Sequence, residues 1–158
     1  MNYSIRIYNE KLDGLDVITL LRQEGYDVGL DEIRGLGIVA VEDKTGKIIG
    51  FIWALTGFSS VVYCDYLVTA NDVLNRIDIA LDMSIALFGI LKKCPVKKII
   101  LSAQNSKIFE ALKIAGFDDL MDHRMMVGDV GIITQNMQSL FMKGSKNGKQ
   151  NSSADNIT

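Results

Sequence analysis

The chain has 158 residues, 48% of them apolar and 23% charged, enough to close one hydrophobic core without disulfides or metals. A net charge of −2, with no run of more than two basic residues, predicts no nucleic-acid partner. A single histidine, His123, beside two distant cysteines, Cys64 and Cys94, predicts no usual zinc site. Both thiols are expected to be reduced and buried. The segment Met1–Arg6 has no apolar leader region, so the chain is expected in the cytoplasm.

Residues 3–8 alternate Tyr3, Ile5 and Ile7 against Ser4, Arg6 and Tyr8, the pattern of a strand. Asp13 is expected to cap a helix over 14–25 with Leu15, Ile18, Leu21 and Leu20 or Val17 on its apolar face, ended by Gly25. Residues 26–36 read as a short helical turn or loop around Asp31-Glu32-Ile33-Arg34-Gly35. Strands at 37–42 and 47–55 follow, joined by Asp43-Lys44-Thr45-Gly46, where Gly46 is free to take a positive φ. The Val- and Tyr-rich run 59–69 is expected to be a central strand.

A long helix over 72–93 is apolar at Ile77, Ile79, Ala80, Leu81, Met83, Ile85, Ala86, Leu87, Phe88, Ile90 and Leu91. Such a helix must be covered on two sides, by its own fold or by a partner. Asp82 interrupts the run, which argues against a membrane span. Pro95 stops the helix before the apolar strand Lys98–Ala103. Asn105 then caps a short helix that Gly116 ends, and Phe117 turns back toward the core. Ile132, Ile133, Met137, Leu140 and Phe141 mark a small amphipathic segment, and the polar residues 144–158 read as a disordered tail. The domain division expected is therefore 1–131, 132–143 and 144–158.

This order predicts an α/β fold with a mixed sheet: an antiparallel meander, then a parallel strand reached through the long helix. With the run Gln104-Asn105-Ser106-Lys107-Ile108-Phe109-Glu110-Ala111-Leu112-Lys113-Ile114-Ala115-Gly116-Phe117, it resembles the GNAT superfamily of acyl-CoA-dependent N-acyltransferases over residues 3–130. The resemblance implies a sheet splayed between 59–69 and 97–104, with the acyl-pantetheine arm of acetyl-CoA lying there. Leu67, Val68, Arg76 and Asn105 are the positions implied for coenzyme contact, with the pyrophosphate on the amides that open the long helix.

The family's coenzyme loop has the form Arg/Gln-x-x-Gly-x-Gly/Ala. Aligned without gaps, its glycine positions fall on Leu74, Arg76 and Asp78, so bulk and charge replace bare backbone. Asp72 and Asp78 add negative charge where a dianion would bind. The tyrosine that many members place seven residues after the capping asparagine falls on Leu112, which cannot donate a proton. Substitutes are Asp65, which alternates with Tyr63 and Leu67 and would activate an amine through water, and Tyr63 or Tyr66 as the acid. His123 follows no nucleophile motif, and no P-loop or Rossmann fingerprint is present.

The expected activity is accordingly that of a GNAT-like pseudoenzyme without a cofactor, acting as a binding or assembly module. Its losses resemble those of small virion-associated proteins of tailed bacteriophages, which would place it in a virion. The partner would be another protein or a second copy, met through 77–91 or 132–141, with neither nucleic acid nor membrane involved. The alternatives are an active acetyl-CoA-dependent N-acyltransferase with an atypical loop, and a small-molecule sensor.

Overall fold

A computed structural model describes residues 2–29, 32–33, 35–56, 60–102, 112–120 and 125–147. Its elements run β1 (Tyr3–Ile7), α1 (Glu10–Gln23), β2 (Leu36–Glu42), β3 (Ile48–Thr56), β4 (Val61–Thr69), α2 (Arg76–Leu91), β5 (Lys98–Ser102), β6 (Phe117–Leu120), β7 (Met125–Asp129) and α3 (Val130–Asn147). One sheet holds all seven strands in the order β1-β2-β3-β4-β5-β7-β6. Its pairs are antiparallel except β4 with β5, which are parallel and joined through α2. Parallel neighbours need a crossover, and the apolar helix supplies it. The mixed α/β sheet expected from the sequence is present.

α1 starts earlier than expected. Its N-cap is Asn9, whose side chain accepts from the Lys11 amide, rather than Asp13. Asp13 lies in the first turn, 2% exposed, and accepts from the Asn9 amide at 2.8 Å. It also takes both guanidinium nitrogens of Arg6 at 2.7 Å, tying α1 to β1. The β2–β3 turn follows the sequence reading: Gly46 has φ +72° and its amide donates to the Glu42 carbonyl at 2.8 Å.

α2 spends its apolar surface inside the fold. Ile79, Met83, Leu87, Phe88 and Leu91 are buried, and the helix packs on β1–β4 on one side and on α3 on another. Gly50 in β3 makes this approach possible, since an added Cβ would sit 2.8 Å from Met83 Cε. Ile77, in the first turn, is the apolar side chain of α2 left outward, at 83% exposure. α3 extends over Val130–Asn147, beyond the 132–143 segment read from the sequence. Asp129 Oδ1 accepts from the Gly131 and Ile132 amides at its start, and Val130, Ile133, Thr134 and Met137 are buried. Residues 148–158 of the expected tail lie outside the described residues.

Phe117 is buried, as the "GF" turn predicted, with Gly116 at φ +96°. Cys64 is buried, but Cys94 is exposed, correcting the expectation of two buried thiols: it falls in the turn after α2, where the chain leaves the core. Among the described residues no helix is long and apolar enough to cross a membrane.

Candidate functional site

The β4–β5 register runs from Val61↔Lys98 to Cys64↔Leu101. Beyond it, from Asp65 to Thr69, no described strand pairs with β4 on that side. This unpaired stretch of β4 is where the resemblance implies an acyl-pantetheine arm.

A β-bulge lies where the β4–β5 pairing ends. β4 pairs with β3 as Trp53↔Tyr66 and then Ala54↔Cys64, which leaves Asp65 as the extra residue. The bulge moves the side-chain period by one, so Tyr63, Asp65 and Leu67 do not form the single face their alternation suggested. Tyr66, opposite Trp53, and Tyr63, opposite Leu55, share one face. Leu67, opposite Ile52, lies on the other, the Gly50 face, and stays exposed at its edge.

Trp53, Tyr66 and Tyr26 form an aromatic cluster there. Tyr66 stacks on Trp53 with ring centroids 5.5 Å apart, and Tyr26 meets Tyr66 edge-on at 5.2 Å. Burial, then the nearby Asp65 carboxylate, pushes the Tyr66 phenol above its ordinary pKa, so it stays protonated at neutral pH. Asp65 and Tyr63 are exposed. Val68, expected to line the coenzyme arm, is buried opposite Phe51, so its side chain belongs to the core. Burial pushes the neighbouring Cys64 thiol up to about 12, which removes it as a nucleophile.

The segment between β4 and α2 is where a pyrophosphate would sit. Arg76, the one cation there suited to a phosphate, is turned back. Its Nε donates to Thr69 Oγ1 at 3.2 Å, its Nη2 donates to the Thr69 carbonyl at 3.1 Å, and it lies 3.8 Å from the Glu24 carboxylate. Glu24 also accepts from the backbone amide and side-chain Nδ2 of Asn71 at 3.1 and 2.6 Å. Lys47 is held by Asp72 at 3.0 Å, a contact that keeps the Asp72 carboxyl below the usual range. Leu74, the residue that the resemblance aligns with a glycine, is 99% exposed, and Asn75 caps α2 without a side-chain hydrogen bond. These residues do not fit the coenzyme's diphosphate: the cation is spent internally, the loop carries acids, and a leucine stands out where bare backbone is needed.

Leu112, in place of the family tyrosine, is partly buried against the core. Asn105 and His123 lie outside the described residues. Sequence reading missed Trp53, Tyr26 and Glu24. Trp53 is the sole tryptophan of the chain, a signal that was available, whereas Glu24 reads as an ordinary helix-end acid until Asn71 is placed beside it.

No family sequence model matches the chain, and no curated relative matches it in sequence. Solved structures do match in shape. The ribosomal-protein-S18-alanine N-acetyltransferase from Escherichia coli superposes with a TM-score of 0.68 at 14% identity, over 82% of this chain and 94% of that one. Aminoglycoside 6'-acetyltransferase type Ii gives 0.67 at 14%, over 80% and 97%. The PaiA N-acetyltransferase from Thermoplasma acidophilum, solved with coenzyme A, gives 0.63 at 18%, over 82% and 99%. With its meander and its α2 crossover, the chain has the fold of the GNAT N-acetyltransferases.

Proposed function

We propose that this GNAT-fold domain does not transfer acyl groups and acts by contact, as a binding or assembly module. The observation that carries the reading is the state of the segment before α2. Arg76 is committed to Thr69 and Glu24, while Leu74 and Ile77 project outward from the helix start. A diphosphate-binding helix start offers bare backbone amides, to which a free cation can add, whereas a contact surface uses outward aliphatic side chains. Leu74, just before α2, and Ile77, in its first turn, thus form the apolar surface at the start of the 77–91 helix available to a protein partner or a second copy. Assembly within a phage virion is one setting for such a module.

Incubation with acetyl-CoA, a set of small amines and N-terminal peptides, with a thiol-detecting reagent, tests this. The expectation is no thiol release above the protein-free rate. Turnover with any acceptor overturns it. The second reading, an acyltransferase with an atypical loop, is supported by one feature: among the described residues no strand pairs with the β4 edge beyond Cys64↔Leu101, where an acyl-pantetheine arm would lie. In that case Asp65 at the bulge would serve an amine and the protonated Tyr66 phenol the departing thiolate.

A further inference from the structure

A compact group of unpaired cations lies where α2 ends and β5 begins. Lys92, Lys93, Lys97 and Lys98 fall within seven residues and all four are exposed. Among the described residues none of them has a carboxylate within ion-pair distance, whereas Arg6, Lys47 and Arg76 are each paired to an acid. The chain as a whole carries −2, so these four charges leave −6 on the rest. Lys92 and Lys93 suit the negative end of the α2 macrodipole. That role does not account for Lys97 and Lys98, which belong to the next strand.

Two of the lysines, Lys92 and Lys97, line a shallow, open hollow. A cavity of about 260 Å³ is lined by Lys92, Val96, Lys97, Asp129, Val130 and Gly131. Its walls are the turn after α2 and the start of α3, fixed to each other by the Val130 amide donating to the Lys97 carbonyl at 3.0 Å. Asp129 is the acid facing it, opposite Lys98 across the β5–β7 ladder, and one of its oxygens is occupied by the Gly131 and Ile132 amides.

We infer that this hollow docks an acidic peptide segment of a protein partner, with carboxylates on the lysines and a small apolar side chain toward Val96. Charge complementarity selects the sign, because unpaired exposed cations raise the encounter rate and affinity of an acidic chain. The hollow is lined mostly by polar groups, with half-buried Val96 as its apolar part, so it suits one short side chain. A long polyanion would run past the four lysines onto a remaining surface that carries −6, whereas a short acidic segment stays within the patch. The inference does not depend on whether the unpaired stretch of β4 binds a coenzyme, since it uses none of those residues.

The test uses the full chain and a fluorescein-labelled peptide of glutamate pairs alternating with single leucines, followed by anisotropy. The expected result is saturable binding with a Kd on the order of 10–100 μM at low salt, weakening as salt screens the lysines. Lys92→Gln/Lys97→Gln should weaken it by about tenfold, and Lys93→Gln/Lys98→Gln should weaken it too. Lys11→Gln/Lys44→Gln, which removes two exposed lysines elsewhere, should leave it unchanged. Circular dichroism confirms that each variant is folded. Absence of binding, equal binding by the Lys92/Lys97 variant, equal loss in the Lys11/Lys44 control, or tighter binding of a DNA duplex would each overturn the inference.

Discussion

The Glu24 carboxylate holds Asn71 by two hydrogen bonds, from its backbone amide and from its side-chain amide. Forty-seven residues separate the two in sequence, and the contact ties the end of α1 to the segment between β4 and α2. Arg76 closes the group from the other side. A segment held this way is braced by its own acid and base, so its charges are not offered to a ligand.

Replacing Glu24 with alanine should therefore cost stability. The loss is about 1–3 kcal/mol, since hydrogen bonds to a charged group are removed and the Asn71 amide is left without its acceptor. Urea denaturation monitored at Trp53 measures it. A midpoint equal to that of the parent would show that the brace contributes nothing.

Asp13 gives the acid limb of the stability curve. The Arg6 guanidinium, and secondarily the Asn9 amide, hold its carboxyl below the usual carboxylate range against the opposing effect of burial. A group depressed in the folded state stabilises fully above its unfolded value, roughly 4, and the contribution disappears as pH falls through the folded value. Denaturation midpoints should drop on acidification from about pH 5 downward. Asp13→Asn should be less stable at neutral pH and show a shallower acid decline. A parallel decline in both proteins would remove Asp13 from the account.

The aromatic cluster predicts a spectroscopic change. Trp53, 7% exposed and stacked on Tyr66, is the only tryptophan. Tyr66→Ala should open its face to water, move its emission to longer wavelength and cost about 2 kcal/mol. Tyr66→Phe, which keeps the ring, should leave the emission close to that of the parent. An unshifted emission in the alanine variant would contradict the stacking.

α3 should prove integral to the domain. Ile133, on its inward face, is fully buried, and Ile133→Ala should cost about 2–4 kcal/mol. Removing residues 130–158 should expose the α2 surface that α3 covers and yield a chain that binds a hydrophobic dye. A truncated protein with the parent's melting temperature would show that the packing is dispensable.

Much of this fold is legible locally. Tyr3, Ile5 and Ile7 alternate, Gly46 ends a turn, and the run from Ile77 to Leu91 can only be a covered helix, so those elements lie where the sequence puts them. Asn9 and Asp13 are both good capping residues, and only the buried pairing of Asp13 with Arg6 decides between them. The bulge at Asp65 was beyond reach, because it exists only in the register between β3 and β4. It reassigns Leu67 to the opposite face from Tyr63 and Tyr66, and that is where reading the candidate site by alternation failed. The role of Glu24 was hidden for the same reason: it depends on a contact made by the folded chain. Leu74 was different. Its mismatch with a glycine position is visible in the sequence, and the structure adds that the side chain stands free.

Isothermal titration of the full chain with acetyl-CoA tests the central claim most directly, since the fold is that of coenzyme-binding enzymes while the segment before α2 does not fit a diphosphate. The account predicts no measurable heat at micromolar protein, meaning a Kd weaker than about 1 mM. It also predicts that Leu74→Gly/Asp78→Gly together strengthen binding, by restoring bare backbone and removing a like charge. Saturable binding to the unmodified protein with a Kd in the micromolar range would contradict it, and would make the unpaired stretch of β4 part of a working coenzyme site.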